Sequence, residues 1–156
     1  MSDTLPRSGR LAGIDYGTVR IGIAITDPAQ SLASPMEILT RRDMAQDERY
    51  FRRLAEQERL AGFVVGLPVH TSGEESQKSF EAREFAKWLG EVTKLPVVLF
   101  DERYTTVHAE ALLQDAGLTS KRRKARRDML AAQILLAAYL ESGRSNAAPG
   151  GLEDRR

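Results

Sequence analysis

Acidic residues interrupt the surrounding pattern at three places, each where a carboxylate is chemically useful. Asp15 breaks an apolar stretch in GIDYGT, residues 13 to 18. Asp101 and Glu102 follow directly on the apolar run PVVLF, and Asp128 separates the basic KRRKARR from the apolar MLAAQILLAAYL. Singly, each has a local explanation: aspartate beside glycine makes turns, and aspartate before a helix caps it. Gathered in one place, carboxylates repel one another unless a cation neutralises them. Hard oxygen donors, with no cysteine and no paired histidines in the chain, point to Mg²⁺ or Mn²⁺. Two such ions about 4 Å apart activate a water and stabilise the leaving oxygen of a phosphodiester, with no nucleophilic side chain required.

Charge supplies a second chemical signal. The 156 residues carry a net charge of +1, from 23 basic and 22 acidic side chains. Six of the basic residues, Lys121, Arg122, Arg123, Lys124, Arg126 and Arg127, lie within seven positions. Without them the remainder has 17 basic and 22 acidic residues, a net −5. Such a run is often only a solvated stretch; on an otherwise acidic body it suits phosphate binding. Arg20 and Arg103 lie close to the acidic positions in the chain and are further candidates to hold a nucleic-acid strand. The run itself is expected to be a mobile arm, joined through GLTS, that closes on its substrate.

The elements that must position these groups follow from periodicity. Val19, Ile21, Ile23 and Ile25 alternate with Arg20, Gly22 and Ala24, a period of two, and LAGID before them also reads as strand. With Gly17 between them, the two predict a tight hairpin. A third strand includes residues 36–39, after the breaker Pro35. Met44, Phe51, Leu54 and Ala55 are set at helical spacing over residues 43–59, with Asp43 as N-cap. GFVVGLP predicts a buried parallel strand ended by Gly and Pro. A second amphipathic helix over 75–92 carries Phe80, Phe85, Trp88 and Leu89, and PVVLF makes a last buried strand. Helical patterns return at 106–116 and 128–141. A hairpin-led sheet completed by right-handed crossovers is a mixed α/β sheet covered by helices. Placing the first strand beside the PVVLF strand brings Asp15 to Glu102, and the last helix brings in Asp128.

The length favours one domain, expected over 1–142, with 143–156 as a disordered tail. No run approaches the roughly 18 apolar residues of a membrane span, and no signal-peptide pattern opens the chain. A cytoplasmic protein is expected.

In family order, GIDYGTVRIGIAITD, FVVGLPVHTSGEESQ, VVLFDERYTT and DMLAAQILLAAYLE resemble the YqgF/RuvX family of bacterial RNase H-like nucleases, related to the Holliday-junction resolvase RuvC. The resemblance implies an RNase H-like mixed five-stranded sheet with helices on both faces. Carried over by motif, it implies Asp15, Glu102 and Asp128 as catalytic, metal-holding carboxylates, with Asp101 a rival for the second place. It implies a metal-dependent nuclease acting on structured nucleic acid, most readily at the 5′ end of the 16S ribosomal RNA precursor, with four-way DNA junctions as the alternative. The family's loop after GLP often has Asn and Asp where this chain has His70 to Ser72, so His70 is read as an ordinary loop histidine. Monomer and homodimer both stay open. Two more distant readings are an actin-like or sugar-kinase-like ATPase, whose hairpin shares the Asp-x-Gly-Thr turn and which DAGLTS at 115–120 faintly echoes, and a non-catalytic module that binds through KRRKARR alone.

Overall fold

The computed structural model describes residues 4–68, 76–105 and 120–143, without the side chains of 120, 121 and 123–128. β1 (Arg10–Asp15) and β2 (Arg20–Thr26) pair antiparallel, with Ile14 opposite Ile23 and Asp15 opposite Gly22. β2 pairs antiparallel with β3 (Ala33–Thr40), β1 parallel with β4 (Leu60–Leu67), and β4 parallel with β5 (Val97–Asp101). The sheet order is β3-β2-β1-β4-β5. Pro35 lies inside β3 rather than ahead of it. It is tolerated there because β3 is an edge strand and its register with β2 shifts beside Pro35, between Ile23 and Ala24.

Both faces of the sheet are covered. α1 (Met44–Gln57) and α2 (Gln77–Thr93) pack on one face, and α3 (Ser120–Glu141) on the other. The alternation along β2 therefore separates large from small rather than buried from exposed. Ile21 and Ile23 join Phe51, Leu54, Phe85 and Leu89 beneath α1 and α2, while Ala24 joins Ala132, Leu136 and Tyr139 on the α3 side. Glycine continues that small face: a Cβ at Gly13 would lie 2.9 Å from Leu136 Cβ and 3.1 Å from the Ala132 carbonyl. α3 thus seats almost on the backbone of β1.

The helix ends follow local chemistry. Asp43 accepts the Gln46 N–H at 2.8 Å and caps α1. Ser76 and Ser79 cap α2 reciprocally, each accepting the other's backbone N–H. Two expected core residues face solvent instead: Met44 is 68% and Phe80 53% exposed. Ala82, Phe85, Ala86 and Leu89 line the buried stripe of α2.

The last helix begins earlier than its apolar pattern suggests. Residues 121–127 form its first turns, so the basic run is continuous with α3 and is not a separate arm. Lysine and arginine are good helix formers, and in this position they extend a helix whose packing is secured further along. The expected helix at 106–116, His70, most of DAGLTS and the tail from 144 onward lie outside the described residues. Among those described, no helix is long and apolar enough to cross a membrane.

Candidate active site

β1, β4 and β5 run parallel, so their carboxyl ends share one edge of the sheet, where open α/β sheets place their ligands. β1 ends in Asp15. β5 is followed by Glu102, the first residue of a 3-10 helix, Glu102–Thr105. These strands are not neighbours as expected: β4 stands between them, and at the usual strand spacing that separates them by roughly 10 Å. Gly66 of β4 makes the approach feasible. A Cβ at that position would lie 2.4 Å from Glu102 Oε2 and 3.2 Å from its Cγ and Cδ, so the Glu102 side chain lies directly against bare β4 backbone.

The electrostatics record the convergence. Glu102 is pushed up to about 7, first by burial, then by the negative charges of Asp15 and Asp101, with Lys78 opposing the shift. Asp15 and Glu102 line a cleft of about 820 Å³ together with Arg20, Lys78, Glu81 and Ile38. Arg20 enters from the start of β2 and Lys78 from the first turn of α2, so cations stand beside the acidic floor. A carboxylate whose proton affinity is raised partly by a second one lining the same open cleft fits a divalent cation, whose charge would relieve the repulsion. Among the described residues, no group of three or more His, Cys, Asp or Glu forms a ready metal site.

Asp101 and Glu102 adopt different surroundings although adjacent. Asp101 is fully buried and accepts Arg103 N at 2.9 Å, Arg103 Nε at 2.8 Å and Arg103 Nη2 at 2.6 Å. It closes the turn into the 3-10 helix, while Glu102 lines the cleft. Arg103 is correspondingly engaged with Asp101 and does not line the cleft.

α3 reaches the site at Ala132, whose Cβ would lie 3.7 Å from a Cβ on Gly22; the same Gly22 carbon would lie 3.5 Å from Asp15 Cβ. Asp128 is one helical turn before Ala132, in the third turn of α3, and its side chain lies outside the described residues. So do those of Lys121, Arg123, Lys124, Arg126 and Arg127; Arg122 is exposed.

Gly66, Lys78 and Glu81 are among the candidate-site residues that sequence patterns did not reveal. Gly66 reads as punctuation at the end of an apolar strand, yet it is the floor beneath Glu102. Lys78 reads as one charge among many on α2. The Ser76-x-x-Ser79 cap is the available signal, because it starts α2 at the carboxyl edge of the sheet and so places Lys78 there.

Comparison with known proteins places the chain by sequence and by fold. Residues 9–142 match the model of the RuvX family, described as Holliday junction resolvase. A protein of Rhodopirellula baltica named "Putative pre-16S rRNA nuclease" is 51% identical over 97% of this chain and 89% of its own length. A protein of the same name from Koribacter versatilis is 39% identical over 85% and 87%. RuvC of Thermus thermophilus shares the fold at 14% identity, with a TM-score of 0.55 over 88% of this chain and 98% of that one in its complex with a Holliday junction substrate.

Proposed function

The chain belongs to the RuvX family, and from that membership we propose that it is a nuclease hydrolysing phosphodiester bonds of structured RNA between Asp15 and Glu102, with Mg²⁺ or Mn²⁺ as cofactor. The observation that carries the reading is that Asp15 and Glu102 line one cleft, Glu102 lying against the bare backbone of Gly66. We assign the activity to a single domain, residues 1–142, working in the cytoplasm on the 5′ end of the 16S ribosomal RNA precursor. The names of the curated relatives support that substrate.

Asp15, Glu102 and, from α3, Asp128 would hold the metal. Bound there, it would supply an activated water and neutralise charge developing on the leaving oxygen. Asp15 is fixed for this role by the β1 ladder, and Glu102 by burial against β4. Arg20 and Lys78 attract the phosphate backbone to the cleft, offsetting the repulsion that bare carboxylates would exert on it. Arg122 and the basic residues around it extend the attraction along α3 without reading sequence.

A second reading, cleavage of four-way DNA junctions, has the description of the family model in its favour. One experiment separates them: purified protein is incubated with a 5′-extended 16S precursor fragment and with a labelled four-way DNA junction, in EDTA, Mg²⁺ or Mn²⁺. Metal-dependent cleavage of the RNA is expected. Cleavage of the junction alone would establish the second reading, and inertness toward both would overturn the nuclease assignment.

A further inference from the structure

Asp47 is a carboxylate only 2% exposed, in the first turn of α1 and outside the cleft. A buried charge is costly unless fully partnered. One oxygen accepts the Arg42 N–H at 3.1 Å, which secures the entry to α1. The other accepts Arg41 Nε at 3.2 Å, an ion pair that the helix does not require. Arg41 also reaches the β1–β2 turn. Its Nη1 donates to Tyr16 Oη at 3.0 Å, and its backbone N–H donates to the Val19 carbonyl at 2.9 Å. The guanidinium lies 5.3 Å from the Tyr16 ring centre and 5.7 Å from that of Phe85, and those two rings are themselves 4.9 Å apart.

Tyr16 follows Asp15, and Val19 precedes Arg20. One residue therefore grips both ends of the turn that carries a floor carboxylate and a wall cation. The turn is already tight: a Cβ at Gly17 would lie 2.3 Å from the Arg20 carbonyl. We propose that Arg41, oriented by Asp47, is a positioning residue that holds Asp15 and Arg20 in working register without touching substrate. The proposal rests on the nuclease reading above. Displacing a reacting group by about 1 Å from a remote position can cost about a hundredfold in rate.

The test uses the full chain with Tyr16→Phe, Arg41→Lys and Arg41→Ala, read by cleavage kinetics and by amide hydrogen exchange over residues 16–20. Tyr16→Phe removes a single hydroxyl and keeps the ring packing, so it remains informative where Arg41→Ala destabilises the protein by stranding Asp47. Arg41→Ala is expected to lower kcat tenfold or more while KM changes little, to quicken exchange in the turn, and to be partly rescued in Arg41→Lys; Tyr16→Phe should show the same pattern, severalfold in size. Wild-type kcat in folded Tyr16→Phe and Arg41→Lys, or unaltered exchange over the turn, would overturn the positioning role. A wild-type protein that cleaves nothing would instead sink the nuclease reading, and the positioning role with it, whatever the exchange shows.

Discussion

Burial and the neighbouring Asp15 together keep Glu102 protonated to about pH 7, well above its ordinary value of 4.5. The folded state therefore binds this proton more tightly than the unfolded chain does. The associated stability is fully present below pH 4.5 and is lost as pH rises to about 7, a change on the order of 3 kcal/mol. Urea unfolding in EDTA should show wild type weakening over that window, with Glu102→Gln flattening the decline; parallel curves for the two proteins would show that Glu102 is not the group responsible. Gly66 offers a test of geometry rather than charge. Gly66→Ala places a methyl where Glu102 Oε2 now lies, so the carboxylate must move or the strands must part. Cleavage should fall by about a hundredfold, with the far-UV circular dichroism spectrum unchanged; wild-type cleavage by a folded Gly66→Ala would show that Glu102 can work from elsewhere.

The basic run lies on the backbone of α3 rather than on a loose segment. Positions 122, 123, 126 and 127 are one turn apart in pairs, a spacing at which like charges disfavour a helix until anions arrive. Replacing Arg122, Arg123, Arg126 and Arg127 with Ala should weaken RNA binding similarly across sequences. It should also flatten the log–log salt dependence by up to four contacts' worth, roughly 0.7 to 0.9 of slope for each lost phosphate contact. An unchanged slope on the same RNA would show that the run is only solvated. At this scale much was legible beforehand: all five strands, both amphipathic helices, the Asp43 cap, and Asp15 and Glu102 at strand ends. What periodicity does not carry is strand order, because a parallel neighbour is chosen by the crossover path and not by local pattern. Hence neither the place of β4 between β1 and β5 nor the role of Gly66, a residue whose contribution is the side chain it lacks, is written in local pattern. Pro35 misled for a related reason, since a breaker is harmless at an edge that only the assembled sheet defines.

Across the whole molecule, a metal bound only by the folded state should stabilise it by mass action, by about 2.7 kcal/mol at a hundredfold excess over Kd. Thermal unfolding with and without Mn²⁺ should therefore show a larger rise in Tm for wild type than for Asp128→Asn. Equal rises would take α3 out of the metal site. The placement of Asp15 in β1 and of Glu102 beyond β5 has another consequence. No contiguous stretch of chain contains the site, and β1 must pair with β4, and β4 with β5, before the two acids meet. Such distant pairings form late, since each must first overcome the entropy of closing a long loop. A chain emerging from the ribosome thus exposes Asp15 long before it can recruit a second acid. On the proposed function, nucleolytic power would therefore arrive only as folding is completed, after the chain has left the ribosome that made it.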